Sequence, residues 1–417
     1  MKVIVIGSGL AGMTSALLLA QAGHRVEIVN RGIGGLLLSP GTIDVFGWNE
    51  DGSPAVDPYQ AAADHAQANP DHPYAATGVD AIRRGVAWLQ EQVPIFAQKS
   101  GAQNMLIPTP VGAVRPTAWV QKSMSASVLR QSAQLLVVGF RQFKDFPAQL
   151  LAANLNRSRL VDVTARATTI DLPVRPHEVD ATSTTYARGF DDAAGIEAAQ
   201  LFAQLVNELT PKINDGDTVL LPAVLGMDQT NIARLSDRLG VPVGEVPTVP
   251  PSIPGRRIYE SLLAACRDAR VEMSMNATAV GFAADGGRVK SISVQRAGRV
   301  TTELADAVIH APGGFDSGGL ARDSYGKVTE RVFGLPVFTP ELAENDPFEI
   351  LKSGVRVDNY MRPVAGTGAP IYSNLYCAGS VIGGSRPWAE KSGEGIALAT
   401  AWVAAHSIAA AESEQNE

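Results

Sequence analysis

The stretch Val5-Ile6-Gly7-Ser8-Gly9-Leu10-Ala11-Gly12 decides the fold class, because it is a G-x-G-x-x-G fingerprint. Gly7 permits a tight turn, and Gly9 lets a pyrophosphate approach the backbone at the start of a helix. Gly12 lets that helix pack closely on the preceding strand. We therefore expect Gly7, Ser8, Gly9 and Gly12 to belong to a cofactor-binding site.

The segments around the fingerprint complete a β-α-β unit. The strand pattern begins at Lys2 and ends at Ile6, Leu10–Ala22 has helical composition, and Arg25–Val29 is a second apolar strand. Parallel strands need such a helical crossover. The unit predicts a Rossmann-like fold, and the alternative is a glycine-rich turn without a ligand.

The end of the second strand departs from the usual dinucleotide pattern. An acidic residue normally binds the adenosine ribose there, but this chain has Asn30 followed by Arg31. Asn30 can still hydrogen-bond a hydroxyl, and Arg31 can meet the 2′-phosphate of NADP. The missing acid also suits a mononucleotide without an adenosine ribose.

Two glycine-rich segments near the C-terminus add to the cofactor site. The strand ending at Val308-Ile309-His310 runs into Gly313-Gly314, and Asn374–Ala378 runs into Gly379-Ser380. A helix then begins at Gly393-Glu394-Gly395-Ile396. Its N-terminus can hold the electron-rich side of a flavin ring. We therefore add Gly313, Gly379, Ser380, Gly393, Gly395 and Ile396 to the predicted cofactor-binding residues.

The middle of the chain predicts a second, smaller unit. Four apolar strands alternate with helices between residues 107 and 250, and a proline-rich segment, Pro247–Pro254, follows them. The prediction is an α/β Rossmann-like dinucleotide-binding flavoprotein fold with an inserted smaller α/β domain. Its flavin-binding domain comprises residues 1–106 and 251–417, and its inserted domain comprises residues 107–250.

Composition excludes several classes of function. The 417 residues include 35 Lys+Arg and 42 Asp+Glu, and the net charge of -7 argues against nucleic-acid binding. Two cysteines are too few for an iron–sulfur cluster carried by this chain alone. Met1-Lys2 leads directly into a strand, so we expect no export signal. We also expect no membrane span, hence a cytoplasmic protein that reaches the membrane only through a partner.

Together these motifs resemble one family, the B subunit of bacterial anaerobic glycerol-3-phosphate dehydrogenase, within the FAD-dependent oxidoreductases of fumarate-reductase type. The resemblance covers nearly the whole chain. Besides the fingerprint, the matching segments are Leu38–Asp44, His72–Tyr74, Arg115–Trp119, Val138–Phe140, Asp145-Phe146, Tyr186–Arg188, Leu221–Ala223, Pro247–Ser252, Gly255-Arg256 and Ala378–Gly384.

The resemblance implies a three-part enzyme. A catalytic A subunit carries FAD and oxidises sn-glycerol 3-phosphate to dihydroxyacetone phosphate. The B subunit is a flavoprotein, usually assigned FMN, with FAD as the alternative. An iron–sulfur C subunit anchors the complex at the membrane and passes electrons to quinone.

Five individual residues remain ambiguous from sequence. Ser39, Gly41 and Thr42 lie in the loop that approaches the flavin N5 side in this fold class, although Ser-Pro-Gly also makes a plain turn. His310 is the best-placed histidine for proton transfer, against the alternative of a hydrogen-bonded structural histidine. Arg256 opens a helix and can bind a phosphate, against the alternative of a solvated helix end.

Two other functions stay open. One is a self-sufficient FAD-dependent dehydrogenase acting on a small hydroxy acid or ketone. The other is a non-catalytic scaffold subunit that lost its cofactor, which the missing acid at Asn30 favours.

Overall fold

The computed structural model describes residues 1–97, 102–191, 195–341 and 347–416. Its α-helices, in chain order, are α1 Leu10–Gln21, α2 Pro58–Ala68, α3 Pro73–Gln92, α4 Ala148–Leu155, α5 Ser183–Phe190, α6 Ile196–Leu209, α7 Thr230–Leu239, α8 Ile253–Asp268, α9 Pro387–Glu390 and α10 Gly393–Asn416. Its strands are β1 Lys2–Ile6, β2 Arg25–Asn30, β3 Met105–Pro108, β4 Val114–Thr117, β5 Ala133–Phe140, β6 Val163–Ile170, β7 Asp217–Pro222, β8 Val243–Val246, β9 Glu272–Met275, β10 Ala277–Asp285, β11 Arg288–Arg296, β12 Arg299–Leu304, β13 Ala307–His310, β14 Leu320–Arg322, β15 Val328–Glu330, β16 Val337–Phe338, β17 Gly354–Val355 and β18 Leu375–Cys377.

The first sheet joins segments from both ends of the chain. Its five strands are parallel in the order β18-β13-β1-β2-β9. The central strand β1 places Ile6 beside His310 on one side and beside Val29 on the other. Val3, Ile4 and Val5 are fully buried, as expected for a parallel strand that is covered on both faces. The predicted β-α-β unit is confirmed.

The second sheet is built from the middle of the chain. Its four strands are parallel in the order β6-β5-β7-β8, and their side chains form a hydrophobic core separate from that of the first sheet. The four predicted strands are all present. The sequence pattern also predicts a helix over residues 192–209. This helix is present from Ile196, and residues 192–194 lie outside the described ranges. The domain boundaries at 106/107 and 250/251 stay a prediction.

An antiparallel sheet follows the ninth strand. Strands β10, β11 and β12 pair in sequence order, and Gly286 and Gly287 join the first two with positive φ angles of 55° and 72°. This is the hairpin that the Asp285-Gly-Gly sequence predicts.

The C-terminal helix α10 packs against α1 and α3. Its segment Gly393–Ser413 is long and apolar enough to cross a membrane, although half of it is buried inside the protein. The sequence pattern indicates Leu10–Ala22 as the longest apolar candidate, whereas in the structure the apolar segment Gly393–Ser413 is longer. Length and composition alone do not place this helix in a membrane.

Candidate functional site

A cavity of about 750 Å³ lies beside the ends of β1, β2 and β13. Strand β1 pairs with β2, the next strand in the chain, on one side and with the later strand β13 on the other. The strand order of the sheet therefore reverses at β1. Ligands of open α/β sheets bind at such a switch point, outside the carboxyl ends of the strands. Ten predicted cofactor residues line the cavity, namely Gly7, Ser8, Gly9, Asn30, Arg31, Ser39, Gly313, Gly379, Ser380 and Gly393.

The fingerprint turn is held by backbone contacts. The N–H of Gly7 donates to the carbonyl of Val29 over 2.9 Å, and Gly7 has a φ angle of +103°. A Cβ atom on Gly7 would lie 2.2 Å from the carbonyl oxygen of Ala311. Only glycine therefore fits this position without moving the neighbouring strand.

Gly9 and Gly12 have different parts in the same turn. Gly9 is the N-cap of α1, no side chain caps that helix end, and a Cβ atom on Gly9 would meet nothing within 4 Å. This open helix N-terminus is suited to an anion. Gly12 does not line the cavity, and its Cβ atom would lie 2.0 Å from the carbonyl oxygen of Gly7. Gly12 therefore serves the packing of helix on strand.

Asn30 and Arg31 lie at the edge of the cavity. The side chain of Asn30 is buried, its oxygen accepts the N–H of Gly32 over 3.0 Å, and its amide nitrogen lies 3.5 Å from the Met275 sulfur. Asn30 thus closes its own turn, whereas Arg31 is exposed. The charge that faces a ligand at this end is therefore positive.

The loop after β2 reaches the cavity through Ser39. The hydroxyl of Ser39 donates to a carboxylate oxygen of Glu394 over 3.0 Å and accepts the N–H of Gly41 over 3.1 Å. Gly41 and Thr42 do not line the cavity. Gly41 has a φ angle of +80°, and its Cβ atom would lie 2.2 Å from the Cβ of Pro254. The backbone conformation of Gly41 therefore shapes the loop.

A network of polar side chains lies behind this loop. Arg115 forms an ion pair with Asp44 at 2.8 Å and donates a second bond to the Thr42 hydroxyl at 2.6 Å. The hydroxyls of Thr42 and Thr117 both donate to the same oxygen of Asp44, over 3.1 and 2.6 Å. Thr42 therefore belongs to a structural ion-pair network.

Glu394 is the cavity residue whose role sequence reasoning missed. It lies in the first turn of α10 and lines the cavity beside Gly393 and Ser39. Burial, and then the nearby Asp44 carboxylate, raise the pKa of Glu394 to about 7. A charged residue between two glycines at a helix start was the available signal.

Gly395 and Ile396 face away from the cavity lining. A Cβ atom on Gly395 would lie 2.2 Å from the hydroxyl oxygen of Tyr74, and that hydroxyl donates to the carbonyl of Val45 over 2.6 Å. Ile396 is 2 % exposed and belongs to the main hydrophobic core. Both residues support the helix that carries Glu394.

His310 is the last residue of β13 and does not line the cavity, whereas the next residue, Ala311, does. Its imidazole is fully buried, and its Nε2 lies 2.8 Å from an oxygen of Glu330. Glu330 also accepts the N–H groups of Val332 and Phe333 over 2.7 and 2.8 Å. These contacts favour the structural alternative for His310.

Arg256 is also outside the cavity lining. It pairs with Glu260 one turn later on α8, at 3.4 Å. Its neighbour Arg257 points inwards, where it forms a buried ion pair with Glu245 at 2.6 Å and donates to the carbonyl of Gly226. The helix-opening arginines therefore bind the protein, with no contact to the cavity.

The residues of the cavity fit a flavin nucleotide. Its volume falls within the usual range for ligand sites, about 300–1,000 Å³. The first turns of α1 and α10 both contribute to its wall. One helix N-terminus suits a phosphate and the other suits an electron-rich ring edge.

Comparison with known proteins shows which proteins this chain is similar to. A family model described as the FAD binding domain matches residues 2–396. A protein of Halobacterium salinarum, named as the probable B subunit of anaerobic glycerol-3-phosphate dehydrogenase, is 33% identical over 100% of this chain and 99% of its own length. The anaerobic glycerol-3-phosphate dehydrogenase B subunit of Pectobacterium carotovorum subsp. carotovorum is 30% identical, over 97% and 98%. The crystal structure of 3-ketosteroid delta1-dehydrogenase from Sterolibacterium denitrificans covers 98% of this chain and 99% of that chain, at 13% identity and a TM-score of 0.45.

Proposed function

The chain belongs to the FAD binding domain family and to the family of anaerobic glycerol-3-phosphate dehydrogenase B subunits, and from this membership we propose its function. It is the flavoprotein subunit of a quinone-linked glycerol-3-phosphate dehydrogenase. The complex oxidises sn-glycerol 3-phosphate to dihydroxyacetone phosphate. Electrons pass through flavin and a partner iron–sulfur subunit to quinone.

The observation that carries this proposal is the glycine-lined cavity between two helix N-termini. Gly7, Ser8 and Gly9 would hold the phosphate groups of a flavin nucleotide, and Gly379, Ser380 and Gly393 would adjoin its ring. A bound flavin supplies the chemistry of electron transfer there. The chain itself binds the cofactor, orients it and excludes water from it.

FAD is the flavin that we propose for this cavity. The family model describes FAD binding, and the cavity wall extends from the loop after β2 to the first turn of α10. FMN, which the family resemblance implies with FAD as the alternative, is not confirmed. Titration of the flavin-free chain with each nucleotide separately distinguishes them: tighter binding of FAD supports the proposal, and tighter binding of FMN contradicts it.

The proposed partners are a catalytic A subunit with its own FAD and an iron–sulfur C subunit that anchors the complex at the membrane. Relatives named as B subunits support assembly with other chains. Both cysteines of this chain, Cys266 and Cys377, are free and buried, and two are too few to hold an iron–sulfur cluster, so clusters that carry electrons onward belong to another chain. The proposed location is the cytoplasmic face of the membrane, with the C subunit as the anchor.

A reconstitution experiment tests the function. The chain is co-expressed with the A and C subunits of an anaerobic glycerol-3-phosphate dehydrogenase, in a host without its own glycerol-3-phosphate dehydrogenases. We expect glycerol-3-phosphate-dependent quinone reduction by membranes that contain all three chains, and its loss when this chain is omitted. Activity that persists without this chain would contradict the proposal.

Two further outcomes identify the alternatives. A purified chain that reduces a dye by itself, with a hydroxy acid as substrate, would be a self-sufficient dehydrogenase. A chain that is required for assembly but stays free of flavin would be a scaffold subunit.

A further inference from the structure

Glu394 brings an ionisable side chain into a cavity wall otherwise made mostly of glycine and apolar residues. It is partly exposed, and the cavity lies against it. The Ser39 hydroxyl donates to its Oε1 over 3.0 Å. Among the described residues, no lysine or arginine nitrogen lies within ion-pair distance of this carboxyl group. A buried carboxylate with one hydroxyl donor, one backbone N–H donor and no ion pair is incompletely compensated.

The charged groups around Glu394 leave its carboxylate without an ion pair. Arg115 favours the carboxylate form of Glu394, but it is already paired with Asp44. Lys391 also acts on Glu394, yet its ammonium group donates to the carbonyl of Trp388 over 2.6 Å. The Asp44 carboxylate and the Tyr74 hydroxyl also act on Glu394, and neither is a cation. The other ionisable residues of the cavity wall are Arg31, Asp316 and Arg331, and no ion pair joins any of them to Glu394 in the described part of the chain.

The surroundings of Glu394 therefore favour the neutral acid more than water does. With its pKa raised to about 7, both forms of the carboxyl group are populated near neutral pH. Further negative charge in the cavity raises that pKa again, because two like charges in a confined site disfavour each other. Glu394 is thus poised to take up a proton when negative charge enters.

On the premise of the flavin cavity proposed above, we propose that Glu394 is its proton-binding group, which takes up one proton for each electron pair that enters. The electrons come from the reduced partner subunit and the proton comes from water, so that one of the two added negative charges is compensated at the carboxylate. The O–H bond forms on Glu394. When the electron pair leaves for the iron–sulfur partner, that bond breaks and the proton returns to water.

The pH dependence of the flavin midpoint potential tests this role. Above about pH 7 the carboxylate is ionised before reduction and protonated after it, so it adds about 30 mV per tenfold change in proton activity for a two-electron couple. At lower pH it is protonated in both states and adds nothing. Glu394→Gln should lose the additional slope above pH 7, and Glu91→Gln, an exposed carboxyl on α3, should keep it.

A second variant keeps the test decisive if Glu394→Gln misfolds. The Ser39 hydroxyl bond lowers the pKa of Glu394, so Ser39→Ala should move the onset of the additional slope to higher pH. An unchanged slope in Glu394→Gln, or an unchanged onset in Ser39→Ala, would overturn the inference while leaving the flavin assignment intact. A chain that binds no flavin would overturn both.

Discussion

The two parallel sheets of this protein differ in what lies at the carboxyl ends of their strands. Strand β1 ends at Ile6 and helix α1 begins at Leu10, so the chain turns through the fingerprint glycines and an open cavity lies at the strand's carboxyl end. Strand β5, in the second sheet, runs into Phe140, and helix α4 begins only at Ala148. A parallel sheet with helices is thus present twice, whereas the glycine-lined cavity adjoins the first sheet.

Aromatic side chains pack near the carboxyl end of the second sheet. Phe140, Phe143 and Phe146 are all buried, and the ring of Tyr186 lies 5.0 Å from Phe140 and 5.9 Å from Phe143. The Tyr186 hydroxyl donates to the carbonyl of Leu172 over 2.8 Å. The first sheet therefore provides space for a ligand at its strand ends, and the second provides packing.

Helix α8 connects the two regions, and its buried ion pair gives the largest expected effect. Arg257→Met leaves the charge of Glu245 buried without its partner, which should destabilise the protein by about 3–5 kcal/mol. The flavin content of the folded protein should not change, since Arg257 is outside the cavity lining. Denaturant unfolding and flavin absorbance measure the two effects.

The adjacent arginine is the matched control for that variant. Arg256 makes a half-exposed pair with Glu260, so Arg256→Met should cost less than about 1 kcal/mol. Equal losses in the two variants, or loss of flavin from folded Arg257→Met, would contradict the separation between packing and cavity.

Gly9→Ala tests phosphate binding at the start of α1 without disturbing the fold of the first sheet. The added methyl group meets no protein atom within 4 Å but occupies the approach of a phosphate to α1. Loss of one or two hydrogen bonds to a charged group costs about 2–3 kcal/mol, or roughly 30- to 150-fold in flavin affinity. Equilibrium flavin titration measures this loss.

Gly366→Ala is the control, because its Cβ also meets nothing within 4 Å and Gly366 does not line the cavity. Its flavin affinity should match that of the wild type. An equal affinity in Gly9→Ala would place the flavin elsewhere.

Glu330→Gln tests the structural assignment of His310. Although burial alone would raise it, bonds from His310 and from the N–H groups of Val332 and Leu335 hold the pKa of Glu330 below its ordinary value. A lowered pKa contributes stability above the unfolded value near about 4.3, and this contribution is lost as pH falls through the folded pKa. The variant should therefore be about 1–3 kcal/mol less stable at pH 7.

That difference should shrink as the pH falls below about 4, since the wild-type carboxylate then becomes protonated. Unfolding midpoints measured from pH 3 to pH 7 check this. A stability difference between wild type and Glu330→Gln that does not depend on pH would show that the charge of Glu330 has no part in stability. Loss of flavin binding in the variant would contradict the structural role of His310 and indicate that it belongs to the flavin site.

Ser252→Ala gives the smallest expected effect. The Ser252 hydroxyl caps α8 by accepting the N–H of Gly255 over 3.0 Å, and removal of such a cap costs about 1 kcal/mol. Ser261→Ala, inside the same helix, should cost nothing or stabilise slightly, because alanine is the better helix former. A larger loss in Ser261→Ala, seen in denaturant unfolding, would contradict the capping role.

The local features of the fold were predictable from sequence. The fingerprint turn, the hairpin at Gly286 and the strands of the second sheet depend on residues near one another in the chain. The edge strand β9, Glu272–Met275, was missed because its residues are neither β-branched nor aromatic.

The parts of the site that depend on distant contacts were not predictable. Glu394 acquires its properties from Ser39 and Asp44, which lie about 350 residues earlier and meet it only in the folded chain. Arg256 and Arg257 are adjacent in sequence, yet one faces solvent and the other the core. The pattern alone did not show which of the two was buried.

The central claim is that this chain holds a flavin in the cavity of the first sheet. The most direct measurement is the visible spectrum of the purified chain, followed by chromatography of the chromophore released by heat. We predict a yellow protein that releases FAD. A colourless chain that takes up neither FAD nor FMN on reconstitution would contradict the claim.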